Sequence, residues 1–336
     1  MTLRRAGLAL LALAGPALIG VAAAYSVFAR WLDRPLAVGG APFTIEIPRG
    51  QPLAVTAREL AGSGVLEHPR WLQLYARATG ADARIKAGEY AIAPGTTPRS
   101  LLALFQSGAV IQHSVTIVEG WTFRDLRKAL EAEPHLDNTL AGKDAAAVMA
   151  ALGEAGTPAE GLFFPDTYLF GKGTTDLELL RLARERMQRE LETAWASRAP
   201  DLPIGSPYEA LILASIVEKE TALGSERPRI AGVFTERLRI GMRLQTDPTV
   251  IYGLGERFDG NLRKDDLLAD TPYNTYTRAG LPPTPIALPG AAALRAAVNP
   301  ERSRALYFVA KGGGRHEFSD HLEAHNRAVN RYQRGR

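Results

Sequence analysis

No charged residue occurs between Arg5 and Arg30. A helix over residues 6–29 rises about 36 Å, enough to cross a hydrocarbon layer of about 30 Å. A run this apolar has no place in a water-exposed loop, so it separates a membrane helix from everything that follows. Arg4, Arg5 and the free amine favour a cytoplasmic N-terminus, and Tyr25 and Trp31 suit the outer interface. Arg30 and Arg34 weaken that charge asymmetry. Ala22-Ala23-Ala24 also resembles a signal-peptidase site, but the run is long for the apolar core of a signal peptide. The expectation is a cytoplasmic N-terminus (1–5), a single transmembrane helix (6–29) in the cytoplasmic membrane, and an exported remainder on the periplasmic or extracytoplasmic side.

At 336 residues the chain fits two domains better than one. Residues 30–42, with Gly39-Gly40, read as a linker. Phe43 to Ile47 alternates like a strand, Leu53–Leu60 and Arg70–Ala78 have helical spacing, Lys86–Ile92 reads as a second strand, and Pro98–Phe105 as a short helix. Residues 43–110 therefore form a small β-α-α-β module, and residues 111–336 a larger α+β domain. The strand-glycine-helix plan of Phe43–Gly50 returns at His113–Gly120, but two copies do not make a repeat array. Further along, Thr175–Trp195 reads as a long charged helix. Ala305–Ala310 and His316–Phe318 read as a hairpin, and Asp320 with Glu323 as the capped start of a last helix.

The chain has no cysteine, which removes disulfides, thiolate nucleophiles and Cys-based zinc sites. Its 40 basic and 36 acidic residues are interspersed, which speaks against a nucleic-acid partner. There is no phosphate-binding glycine loop and no hydrolase nucleophile elbow. His321 and His325 share a helix face, near His316, yet the order of a zinc-protease motif is missing. Neither metal nor cofactor is expected.

Ser206-Pro207-Tyr208-Glu209 is a strong helix start, with Ser at the cap and Pro at the first turn. Ala210–Val217 is apolar on all sides, so this helix belongs in a core. It ends in Glu218-Lys219-Glu220. On a continuing helix Glu218 shares a face with Leu211, Ala214, Ser215, Thr221 and Ala222. Small neighbours admit a ligand and desolvate the carboxyl, raising its pKa as a general acid requires. The bland alternative is a carboxylate paired with Lys or Arg at a helix end. Glu220 points toward the side of Glu209 and Leu213.

Two polar clusters follow. Asp247-Pro248 reads as a helix cap and first turn, leaving Gln245 and Thr246 without a local explanation. Thr271–Thr277 is dense in amide, hydroxyl and aromatic groups, the mix used by sugar sites and also by polar turns. Gly280-Leu281-Pro282-Pro283-Thr284-Pro285-Ile286 is a rigid extended segment that suits a groove wall or a connector.

Several of these segments together resemble the endolytic murein transglycosylases of the YceG-like family. They are Lys86–Tyr90, Glu160–Tyr168, Ala214–Thr221, Arg243–Gly253, Tyr273–Tyr276 and Gly280–Pro283, in the family's order along the whole chain. Thr284 stands where that family would have glycine. The resemblance implies a single-pass anchor, a LysM-like small module and an α+β catalytic domain with Glu218 as its acid/base. It implies cleavage of the β-1,4 bond between N-acetylmuramic acid and N-acetylglucosamine, leaving a 1,6-anhydro end, and partnership with wall synthases of the penicillin-binding class. Gln245, Thr246, Asn274, Tyr276 and Ser215 are then the candidates for contacts to the glycan strand. A hydrolytic muramidase using Glu220 or Asp247 as second carboxylate is the alternative, as is a non-catalytic membrane-anchored scaffold that binds peptidoglycan.

Overall fold

The computed structural model describes residues 18–335. Helix α1 covers residues 18–32 and exposes Leu18, Ile19, Val21 and Tyr25. Among the described residues, no helix is long and apolar enough to cross a membrane. Residues 6–17 of the expected span lie outside the described residues.

The chain divides into two compact units: residues up to 113 with 170–173, and residues 114–169 with 174 onward. The first contains β1 (Phe43–Ile47), α2 (Leu53–Gly62), α3 (Pro69–Thr79), β2 (Gly88–Ile92) and α4 (Pro98–Ser107). The two strands pair antiparallel, with Phe43 opposite Ile92 and Ile47 opposite Gly88. Along β1, Ile45 and Ile47 are buried and Thr44 and Glu46 exposed, the period-two pattern of a strand with one wet face. The β-α-α-β order is thus the one expected. Its core centres on Leu60, Leu72, Ile92 and the edge-to-face pair Tyr90–Phe105, whose centroids lie 5.0 Å apart. The buried Tyr90 hydroxyl donates to the carbonyls of Lys86 (2.7 Å) and Phe105 (3.1 Å), so the ring enters the core without an orphaned polar group.

Residues 30–42 do more than link. Trp31, Leu32 and Leu36 are buried in that same core, and Phe28 packs on it. The reason is local: α1 delivers Trp31 against Trp71 at 5.4 Å, edge to face. A shortened chain therefore has to begin before Phe28 to keep this unit whole. Helix α4 is held by a reciprocal cap between Thr97 and Ser100. Thr97→Ala is expected to lower stability by about 1 kcal/mol, read as a small drop in the denaturant midpoint.

Strand β3 (Gln112–Thr116) leads into the second unit. There follow α5 (Phe123–Glu131), β4 (Leu136–Asp137), α6 (Ala145–Ala151), β5 (Thr167–Gly171), β6 (Thr174–Thr175), α7 (Asp176–Ala196) and α8 (Pro207–Glu220). Then come α9 (Arg227–Arg239), α10 (Asp247–Leu254), α11 (Lys264–Leu268), α12 (Ala291–Val298), β7 (Tyr307–Gly312), β8 (Arg315–Ser319) and α13 (Leu322–Val329). Among the described residues every sheet has only two strands: β1 with β2, β3 with β5, β4 with β6, and β7 with β8. Helices, not a sheet, therefore organise this α+β unit.

Helix α8 is the centre. Its residues 210–218 are all buried, and α7, α9, α10 and α12 pack around it. Each of Leu211, Leu213, Ile216 and Val217 contributes roughly 2 kcal/mol by leaving water. The start is as expected: the Ser206 hydroxyl accepts the Glu209 N–H at 3.2 Å. The end is not. The helix stops at Glu220, and Thr221 is extended, so Thr221 and Ala222 do not continue the Glu218 face. The last helix also departs from expectation. His321, not Asp320, takes the cap position, no side chain caps it, and Glu323 pairs with Arg327 at 2.8 Å.

Candidate active site

Glu218 ends α8 inside a charged cluster. Its Oε1 accepts from Arg227 at 2.6 Å, and its Oε2 accepts the Gly290 N–H at 2.9 Å. The side chain is only 4% exposed. Arg227, on the first turn of α9, also reaches Glu119 at 3.5 Å, and Glu119 is about half exposed (47%). Burial pushes the Glu218 pKa up; the Gly290 N–H and Arg227 pull against it, and the nearby Glu119 charge adds to the rise. One guanidinium thus faces two carboxylates, an arrangement that accepts a proton readily. Arg227 Nε is buried without a hydrogen-bond partner, which leaves a donor in the cluster uncommitted.

Backbone closes the rest. Gly120 donates to the Leu288 carbonyl (2.9 Å), Leu288 donates to the Trp121 carbonyl (2.7 Å), and Lys219 Nζ caps the Gly120 carbonyl (3.1 Å). A Cβ on Gly290 would overlap the Glu119 carboxylate where it now lies, so a larger residue there would push the Glu119 side chain off the cluster. The paired-carboxylate alternative raised for Glu218 is realised, with Arg227, and it coexists with the raised pKa.

Three of the expected substrate residues gather at the other carboxylate of α8's end, Glu220. Gln245, Thr246, Asp247 and Tyr276 line a groove of about 560 Å³ that opens on Glu220, and Glu218 does not line it. The Thr246 hydroxyl donates to the Glu220 carboxylate. Burial raises the Glu220 pKa, opposed first by that hydrogen bond. Asp247 does not cap α10: Thr246 holds the cap position, and Asp247 accepts the Tyr276 hydroxyl at 2.5 Å. Gln245 is exposed at the groove with a φ of 49°, a left-handed backbone that a non-glycine residue adopts at a cost of about 1–2 kcal/mol.

Two expected residues sit inside the protein. The Ser215 hydroxyl donates to the Ile212 carbonyl (2.7 Å) and accepts the Ile286 N–H (3.0 Å), tying α8 to the Pro-rich segment. Asn274 is fully buried; its amide donates to the carbonyls of Asp266, Leu267 and Ala269, and its oxygen accepts the Tyr276 N–H. It orders the loop that carries Tyr276. Among the described residues no group of three His, Asp or Glu could hold a metal ion. His316 bonds Glu226 at 2.7 Å and His325 stacks on Tyr307 at 5.2 Å.

A third feature escaped the residue-by-residue reading. Glu160 is buried at the base of a second groove of about 600 Å³. Its Oε1 accepts the Phe123 N–H (2.9 Å) and its Oε2 the Tyr252 hydroxyl (3.1 Å). Burial raises its pKa to about 7 against these bonds. The next residue, Gly161, has a φ of 80°, and a Cβ there would overlap Pro285.

The sequence profile of the YceG-like family matches residues 45–331. The chain belongs to the YceG-like family. It is 31% identical over 305 residues to the endolytic murein transglycosylase of Bacillus subtilis strain 168, an alignment covering 86% of this chain and 84% of that protein. It is 28% identical over 320 residues to the endolytic murein transglycosylase of Streptococcus pneumoniae D39, covering 85% of this chain and 57% of the pneumococcal protein. A crystal structure of a yceG-like protein from Listeria monocytogenes matches at 29% identity with a TM-score of 0.53, covering 86% of this chain and all of that one. In this YceG-like chain, the Glu119–Arg227–Glu218 cluster draws on residues up to 108 positions apart. No local spacing announces it as a cluster; the signals were the buried face of the helix that ends in Glu218 and the family segment that contains it.

Proposed function

We propose that this protein is an endolytic murein transglycosylase, membrane-anchored through residues 6–29, with Glu218 as its acid/base. The observation that carries the reading is the buried Glu218 carboxyl, pushed up in pKa beside Arg227 and Glu119, in a YceG-like chain whose relatives bear that name. The substrate is a peptidoglycan strand. Protonated Glu218 gives its proton to the glycosidic oxygen as the bond to C1 of the muramyl sugar breaks. The acetamido group assists at C1. The muramyl 6-hydroxyl then attacks C1 and returns its proton to the Glu218 carboxylate, which Arg227 and the Gly290 N–H steady while it is charged. The products are an N-acetylglucosamine 4-hydroxyl and a 1,6-anhydromuramyl end. No water enters, so one carboxyl serves both steps, unlike the pair that hydrolases need.

Gln245 and Tyr276, at the groove beside Glu220, are the substrate contacts in this reading. The small β-α-α-β unit acts as a LysM-like spacer or glycan binder next to the membrane. Exposed Leu18, Ile19, Val21 and Tyr25 on α1 support the anchor, and wall synthases are the partners that supply growing strands. A second reading draws on the groove that opens on Glu220 rather than Glu218: a hydrolytic muramidase with Glu220 or Asp247 as its second carboxylate.

Endolytic action is tested on long uncrosslinked strands with the full chain in detergent. Cuts within strands, seen as mid-length fragments before any disaccharide, are expected. Disaccharides from the first minute argue for an exo-acting enzyme, and binding without cuts for a scaffold.

A further inference from the structure

The Glu160 groove plays no part in the chemistry above, yet it is built like a ligand site. Its floor is Phe123, Tyr252, Tyr273 and Pro158. Its base is the Glu160 carboxyl, nine-tenths buried and held on one edge by the Phe123 N–H and on the other by the Tyr252 hydroxyl. Its rim is cationic: Arg124, Lys128 and Lys143 are all exposed. Arg124 reaches Glu256 at 3.3 Å, an exposed pair that competes little with a ligand. No carboxylate lies within ion-pair distance of Lys128 or Lys143 among the described residues. Arg127, deeper in the wall, is committed to Glu131 and the Leu140 carbonyl.

Such a groove fits a ligand with three properties. It has small apolar groups for the aromatic floor, an amide for the carboxyl at the base, and carboxylates for the rim. That is a short acidic peptide. We propose that the Glu160 groove binds the peptide carried by the muramyl residue of the strand, and so makes cleavage depend on that peptide. The inference rests on the peptidoglycan reading and extends it to the substrate's second half.

Connectivity supports the placement. The segment 119–123 carries Glu119 and Gly120 of the Glu218 cluster at one end and Phe123, the Glu160 partner, at the other. The segment 284–290 likewise runs from Thr284 in the groove wall to Gly290 on Glu218. Two short segments thus join the groove to the acid/base. The Glu160 carboxyl, raised to about 7, keeps its proton in a substantial fraction of molecules near neutral pH, and in that form can donate to a peptide carbonyl. The ionisable groups around it are Asp125, Arg124, Arg127, Lys128, Glu131, Lys143, Tyr252 and Tyr273.

The test uses the full chain in detergent and two substrates: peptide-bearing strands, and the same strands stripped of peptides by an amidase. The wild type is expected to cut peptide-bearing strands about tenfold faster, the worth of one or two charge-assisted contacts. In Lys128→Glu/Lys143→Glu, both surface positions, the ratio of the two rates should fall to about one. A synthetic acidic tetrapeptide titrated into the wild type, followed by tryptophan fluorescence or calorimetry, should bind saturably and not bind the variant. Equal rates in the wild type without tetrapeptide binding overturn the groove assignment and leave the transglycosylase reading intact. Tetrapeptide binding with no cleavage of either strand keeps the groove and overturns that reading. A variant that keeps the wild-type ratio also overturns the assignment.

Discussion

Glu218→Gln is expected to lower strand cleavage by about 10³-fold while leaving the fold in place, since a positioned general acid contributes roughly 10²–10⁴. Glutamine keeps an oxygen for the Gly290 N–H but cannot carry a proton to the leaving oxygen. It also removes one of the two carboxylates facing Arg227, and Glu119 remains as partner. The informative comparison is Glu220→Gln. That residue receives the Thr246 hydroxyl at the edge of the groove and on this account holds the groove wall. Its replacement should cost far less in rate than that of Glu218, with the loss mainly in KM. If Glu220→Gln abolishes cleavage and Glu218→Gln does not, the proton donor is on the groove side of α8. Urea denaturation of both variants separates lost chemistry from lost folding.

The second large effect concerns stability and pH. Glu160 has an ordinary value near 4.5 and a folded value of about 7. Between those values the folded chain keeps a proton that the unfolded chain has released. Stability from this group is therefore fully present below about 4.5 and declines as pH rises to about 7, by roughly 3 kcal/mol in all. Above that, the fold holds a buried carboxylate that the Phe123 N–H, the Tyr252 hydroxyl and the Gly161 backbone only partly offset. Glu160→Gln removes the titration and keeps the shape. The stability of the variant relative to wild type should therefore rise by roughly 3 kcal/mol between pH 4.5 and pH 8. Glu218 and Glu220 are raised too, so the wild type should lose further stability over this range, whereas the lowered Asp33, Asp125 and Glu226 contribute fully throughout it and lose stability only at more acidic pH. The difference between the two proteins isolates Glu160. A difference that stays flat from pH 4.5 to 8 means that its carboxyl titrates normally.

The helices and the hairpin were legible in the sequence because their signals are local. Ser206-Pro207 marks the start of α8, its all-round apolar run marks burial, and Lys311–Arg315 marks the turn between β7 and β8. The misread boundaries share a cause. Asp247-Pro248 looked like a cap and first turn, but Tyr276, 29 positions away, claims the Asp247 carboxylate. Residues 30–42 looked like a linker because Gly39-Gly40 is conspicuous, while the burial of Trp31, Leu32 and Leu36 depends on helices folded later in the chain. The site was legible as segments, not as geometry. Helical phase alone put Glu218 and Glu220 on different sides of α8, and the structure keeps them apart. It could not say that Gln245, Thr246 and Tyr276 would gather around Glu220, or that Ser215 and Asn274 would spend their hydrogen bonds on the backbone. Arg227 and Gly290 bond Glu218, and Glu119 joins through Arg227, from three separate segments that no periodicity can bring together.

The most direct test of the central claim is the mass of the ends this protein makes. The full chain in detergent is incubated with purified peptidoglycan strands, and the new muramyl termini are released and weighed. Ends that are one water lighter than a reducing muramyl residue, present with wild type and absent with Glu218→Gln, are the result the account predicts. Reducing ends that have gained a water, or anhydro ends that persist in Glu218→Gln, would contradict it.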